Sequence, residues 1–190
     1  MMLKKFITGS TLILLSCFAQ IANSNEGSIT SGLDNSLLSL GIGSNTGGVF
    51  LKSNLLSNEV KGNTLDVGLG YNIDIKSLQL SPSVKSVFTR YEEATDGTSL
   101  SLGIGAKTRY RFNSHWSIYS QYHYAAECFS SKYPNTYHEI SSGIIYTPDS
   151  IFSLDLGYRY VRLNNNSPSK SYAANEYLAK SPYLGVLIKF

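Results

Sequence analysis

The chain has 190 residues, of which 42% are hydrophobic, 12% aromatic and only 15% charged. So little charge excludes a disordered chain, and 16 glycines with five prolines exclude a collagen-like one. The formal charge of +3 includes Lys4 and Lys5; without them 14 basic residues face 13 acidic ones, which leaves no broad basic surface for nucleic acid.

Residues 1–24 carry the three parts of a secretory signal peptide. Lys4 and Lys5 form the positive start, an apolar stretch runs from Phe6 to Leu15, and Ala22-Asn23-Ser24 is a small-x-small cleavage site. The apolar run is about ten residues, half of the ~20 that span a bilayer as a helix. Residues 25–190 then make one domain. The segment Leu14-Leu15-Ser16-Cys17 resembles a degenerate lipoprotein site, so lipidation of Cys17 is the alternative to cleavage after Ser24. With the leader gone Cys128 is the sole cysteine, so no internal disulfide forms. It falls in a polar stretch with no base beside it and is not read as a nucleophile.

Beyond the leader, bulky residues alternate with small or polar ones at period two, the pattern of strands with two unlike faces. Runs fall at 27–33, 37–43, 47–55, 63–74, 77–91, 98–112, 115–127, 137–147, 152–160 and 181–190. The clearest sets Leu100, Leu102, Ile104, Ala106, Tyr110 and Phe112 against Ser99, Ser101, Gly103, Gly105, Lys107, Arg109 and Arg111. Apolar residues at helical spacing are not found, so the chain is all-β. Eight runs from Gly47 onward are firm; the run 37–43 needs a partner and only 27–33 supplies one. The sequence therefore predicts an up-and-down antiparallel transmembrane β-barrel of ten strands, with eight strands plus an N-terminal segment as the alternative.

Connections alternate in length. Short turns are predicted at 44–46, 74–76, 113–114 and 148–150, and longer polar loops at 57–62, 92–97, 128–135 and 164–180. This is the connectivity of an outer-membrane barrel with tight turns in the periplasm.

Alternation alone does not say which face points inward, but composition does. The polar face is rich in Gly and Ser, which fit a narrow interior, and holds Asp66, Lys107, Arg109, Arg111, Asp155 and Arg159 as an expected lumen charge network. The apolar face then meets lipid. On that topology Tyr110, Phe112, Trp116, Tyr146 and Phe152 form one aromatic girdle, and Tyr122, Tyr124, Tyr158 and Tyr160 the other. Backbone groups in lipid need partners, so the last strand is expected to close on the first. That last strand ends in Phe190, which resembles the C-terminal aromatic signal recognised by the barrel-assembly machinery.

Two functions from different classes follow. The first is a non-enzymatic barrel of the bacterial outer membrane, either a narrow porin-like pore or a structural and surface-interaction protein. Its partners would be outer-membrane lipids, the barrel-assembly machinery and ions or very small solutes; no cofactor or metal is expected, and no nucleic acid. Open aqueous channels need about 16 strands, which disfavours a general porin. The second is an outer-membrane hydrolase acting on lipid, prompted by His123, His138 and Glu139. His123 is predicted to face inward and His138 to face lipid, and opposite faces do not make one Ser/His/acid site. Its resemblance to lipid A deacylases is of size and topology only. The Gly-x-Gly pairs lie inside strands and read as packing positions.

Four segments carry a resemblance to one family. They are Leu38-Ser39-Leu40-Gly41-Ile42-Gly43, Asp66-Val67-Gly68-Leu69-Gly70-Tyr71-Asn72, Leu154-Asp155-Leu156-Gly157-Tyr158-Arg159-Tyr160 and Pro182-Tyr183-Leu184-Gly185-Val186. In order and spacing the chain resembles the YfaZ family of small outer-membrane proteins. The resemblance implies a location and a fold and brings no catalytic residues.

Overall fold

The computed structural model describes residues 25–91, 98–126, 130–131, 136–164 and 175–190. The leader, Cys17, Cys128 and the predicted loop 92–97 lie outside the described residues. Within them the elements are β1 (Asn25–Gly32), β2 (Asn35–Ile42), β3 (Gly48–Asn58), β4 (Gly62–Ile75), β5 (Leu78–Tyr91) and β6 (Thr98–Arg111), followed by β7 (Trp116–Ala125), β8 (Ser130–Ser131), β9 (Thr136–Tyr146), β10 (Phe152–Asn164) and β11 (Asn175–Lys189).

Ten of these strands pair antiparallel, each with its neighbour in sequence, apart from β7 with β9, where the two-residue β8 intervenes and extends the edge of β6. The ring closes where β1 meets β11, from Glu26↔Lys189 to Gly32↔Tyr183. The terminal residue completes the seam: the Asn25 and Phe190 amides each donate to the other's carbonyl, both at 3.1 Å. No strand edge is left over among the ten, as a lipid surround requires.

The polarity is that of a molecule turned inside out. Leu102, Val67 and Leu154 are 42%, 48% and 38% exposed on the outer wall, while Arg109 and Asp155 are 8% and 6% exposed inside. Side-chain alternation was thus read with the correct hand.

Loop lengths differ from the expectation. The segment 57–62 is no long loop: Ser57 and Asn58 remain in β3, and β4 starts at Gly62. Asn58 Oδ1 accepts the amides of Val60 and Lys61, both at 3.1 Å, and Gly62 adopts φ +128°, so the chain reverses at once. The segment 164–180 is strand at both ends, because β10 runs to Asn164 and β11 begins at Asn175. Within the predicted loop 128–135, Ser130 and Ser131 are strand β8.

Above the ionic middle of the lumen, inward positions become apolar. Leu56, Val87, Ala125, Tyr137, Val161, Leu163, Leu178 and Ala179 form one buried cluster at the end of the barrel away from the termini. A register shift between Val161 and Arg162 supplies part of it, since the extra residue on β11 lets Leu178 and Ala179 both turn inward. The β1–β2 hairpin stops short of this level. Asn58 Nδ2 donates to the Leu178 carbonyl (2.9 Å) and Lys61 Nζ to that of Tyr177 (2.8 Å), so the β3–β4 turn and β11 meet directly above it.

One wall seam is weakened. Pairing of β4 with β5 stops at Gly70↔Ser83 and resumes at Ile73↔Leu80, beside Pro82, which has no N–H to give. Side chains lace the gap from inside: Ser81 Oγ donates to Asn72 Oδ1 (2.7 Å), and Asn72 Nδ2 donates to the Gly43 and Thr46 carbonyls (2.9 and 2.8 Å).

Candidate functional site

The lumen gathers nearly every buried charge. In its middle, Lys85 reaches Asp66 at 3.3 Å and is bonded to Glu139. Around this triad, Tyr137 Oη donates to Glu139 (2.6 Å), Gln121 Nε2 donates to its other oxygen (2.8 Å), and Asn54 Nδ2 donates to Asp66 (2.7 Å). Each carboxylate is therefore both charge-paired and hydrogen-bonded, the condition for burying it.

A second group surrounds Asp155, which accepts from Tyr119 Oη at 3.0 Å, while the Tyr183 hydroxyl bonds that of Tyr119 and lies 3.4 Å from the carboxylate. Arg159 lies with its guanidinium 4.5 Å from the Tyr183 ring centroid and donates to Asn35 Oδ1 (3.1 Å) and Thr30 Oγ1 (2.6 Å). A third group follows β6 toward the terminal rim. Lys107 Nζ sits 4.9 Å from the Tyr119 ring centroid; Arg109 donates to Ser117 Oγ (3.1 Å) and Asn45 Oδ1 (3.3 Å); Arg111 is half-buried at the mouth.

All six charges expected in the lumen point inward, yet they fall into separate groups. Among the described residues the two ion pairs are both made by Lys85, and no two of the six bond each other. Sequence reasoning missed Lys85 because Pro82 and the serines of β5 blur its alternation. The signal was present: Lys85 shares its parity with Ser81, Ser83 and Val87, opposite Val84 and Phe88.

Two lumen cavities of about 50 Å³ each flank Lys52 and Lys107. A water takes roughly 10–15 Å³ of such space, so each holds a few waters. Among the described residues no group of His, Cys, Asp and Glu could hold a metal ion.

His123 points inward, and its Nε2 lies 2.8 Å from Ser83 Oγ, a partner that sequence reasoning did not identify. Its Nδ1 makes no hydrogen bond. Glu139 is its register partner on β9, but that carboxylate is committed to Lys85, Tyr137 and Gln121. His138 points outward and lies 4.8 Å from the Tyr124 ring.

Aromatic residues cluster on the outer wall. Tyr110 meets Phe112 edge-on at 5.2 Å and Trp116 lies 4.6 Å from Tyr146, all near the terminal rim, with Phe152 beside them at the start of β10. Tyr122, Tyr124, Tyr158 and Tyr160 lie higher. Because β10 continues to Asn164, Tyr158 and Tyr160 are mid-strand, and the sheet projects beyond them.

A family model described as "YfaZ precursor" matches residues 3–190. The chain belongs to the YfaZ family. It is 28% identical over 153 residues to "Outer membrane protein YfaZ" of Escherichia coli (strain K12), covering 80% of this chain and 81% of that one. The solved transport unit of the autotransporter AIDA-I from Escherichia coli aligns with a TM-score of 0.51 at 13% identity, over 91% of this chain and 92% of the other, and shares the barrel fold. The NanC porin aligns with a TM-score of 0.49 at 13% identity, over 89% of this chain and 99% of that one. This YfaZ-family chain is thus an outer-membrane β-barrel protein.

Proposed function

We propose that this YfaZ-family barrel is a non-enzymatic outer-membrane protein whose lumen is closed to solutes, with a structural or surface-interaction role in place of an open porin's. The observation that carries this reading is the apolar cluster of Leu56, Val87, Val161, Leu163 and Leu178, stacked on the Lys85 ionic belt across the end away from the termini. A barrel of about ten strands has an interior that side chains fill. Surrounding lipids and the barrel-assembly machinery, through the Phe190 end of β11, are its partners in this reading. A non-enzymatic role is supported by His123, which bonds Ser83 but has no acid on Nδ1 to orient it as a base.

Planar-bilayer recording of the purified barrel tests the closed lumen. The native protein is expected to give no steps above background, and Val87→Gly with Leu163→Gly, still barrel-folded by circular dichroism, to give them. Conductance steps from the native protein would restore the pore. Fatty-acid release from lipopolysaccharide, abolished by Ser83→Ala, would overturn the non-enzymatic reading.

A further inference from the structure

At the terminal mouth, the periplasmic one in a barrel with both chain ends on that side, a separate cavity of about 120 Å³ opens. Arg109, Arg111, Lys189, His115, Asn45 and Ser117 line it, and no aspartate or glutamate does. Arg111 and Lys189 have no carboxylate within ion-pair distance among the described residues, and neither side chain makes a hydrogen bond there. Two acids stand near this rim, outside the cavity lining. Glu26, the register partner of Lys189, accepts from Asn45 Nδ2 at 2.8 Å. Asp149 Oδ1 accepts the amides of Ile151 and Phe152 at 2.8 and 2.7 Å.

The frame is built before any ligand arrives. Ser117 and Asn45 hold the Arg109 guanidinium; Thr147 N donates to the His115 carbonyl (2.8 Å), and Lys189 N to that of Ile151 (2.8 Å), so two turns and the end of β11 are tied together. Three cations converge on a polar cavity that no aspartate or glutamate lines; Glu26 beside it supplies one negative charge against three, so an anion that joins them is stabilised. Guanidinium forks match tetrahedral oxyanions in geometry, and the space exceeds what several waters need.

We infer that this mouth is a phosphate-binding site, with Arg109, Arg111 and Lys189 as the binding cations. A free phosphate ion and the headgroup of an inner-leaflet phospholipid share that chemistry. The site does not depend on whether the lumen above it conducts.

Trp116 is the chain's single tryptophan and lines the cavity, so its fluorescence reports on this site. The barrel, folded in a phosphate-free detergent, is titrated at low salt with inorganic phosphate, with short-chain phosphatidylglycerol, and with chloride at matched ionic strength. A saturable Trp116 response is expected, weakened at least tenfold in Arg111→Gln/Lys189→Gln and kept within about threefold in Arg111→Lys. The charge-matched variant Arg90→Gln/Lys180→Gln, on the outer wall away from the cavity, is expected to bind as the native barrel does. Response to inorganic phosphate assigns a soluble ligand; response to phosphatidylglycerol alone assigns the headgroup. No saturable response to either, an equal response to chloride, or equal weakening in both charge-matched doubles would overturn the proposal. Circular dichroism confirms folding of each variant.

Discussion

Lys85 is 3% exposed with two carboxylates on it, and it decides how the lumen tolerates charge. Breaking a buried ion pair by removing one partner costs about 3–5 kcal/mol, while replacing every member by neutral groups costs far less. Lys85→Met is therefore expected to lower unfolding stability by about 3 kcal/mol in urea titrations from detergent. Adding Asp66→Asn and Glu139→Gln should recover more than half of that; a triple variant no better than Lys85→Met would show that packing, not charge, dominates. A second residue acts outside the barrel wall. Asp149 is exposed in the turn before β10, and its two amide hydrogen bonds hold its carboxyl below the ordinary 3.8. A depressed carboxyl contributes stability that is present above the ordinary value and lost as pH falls through the lowered one. The stability gap between the native protein and Asp149→Ala should be open at neutral pH and close as the pH drops below 3.8; a gap constant with pH would remove the carboxylate's role. Of the lumen charges, Asp66 was legible in sequence because β4 alternates strictly. Its partners Lys85 and Glu139 were not, since strand pairing brings them together across 19 and 54 positions counted from Lys85.

At the scale of elements, all ten barrel strands were legible, because a wall with lipid on one side and packed polar groups on the other imposes period two everywhere. What hid the start of β11 is physical as well. Around the register shift Leu178 and Ala179 both face inward, so the alternation that marks a strand is broken where the plug is built. The tight β3–β4 turn was hidden because Asn58 and Gly62 do the work of a loop in few residues. Strand pairs also give the Gly-x-Gly positions different weights. A Cβ at Gly105 would strike the Tyr122 carbonyl and the His123 ring, whereas at Gly103 the nearest atoms, the Tyr124 carbonyl and Lys85 Cγ, lie at ordinary contact distances of 3.5 and 3.7 Å. Gly105→Ala should cost about 1–3 kcal/mol through forced shifts between β6 and β7, and Gly103→Ala well under 1. Urea midpoints read by Trp116 fluorescence separate the two; equal costs would mean that the Tyr122 carbonyl and the His123 ring both move aside without strain.

For the whole molecule, everything rests on the outer wall facing hydrocarbon. From Leu100 to Tyr110, β6 spans roughly 33 Å of strand, which at a tilt of about 40° is about 25 Å along the membrane normal, the height of a barrel's apolar band. Its outward residues Leu100, Leu102, Ile104 and Tyr110 are already exposed in the isolated molecule, so water and lipid predict opposite results for the same substitution. In water, arginine at any of these positions replaces an exposed apolar side chain and changes stability by a few tenths of a kcal/mol. In a bilayer the cost depends on depth, about 2–4 kcal/mol at the midplane and about 0–1 near the interfaces. An arginine scan along β6, measured by reversible unfolding from phospholipid vesicles, should therefore give a peak at Ile104 that falls away toward Leu100 and Tyr110. The inward neighbours test the other face: Ser101, buried level with the apolar plug as the register partner of Val87, should resist arginine for reasons of volume at any depth. A flat profile along the outward series would place this face against water and remove the membrane as the source of the period-two pattern.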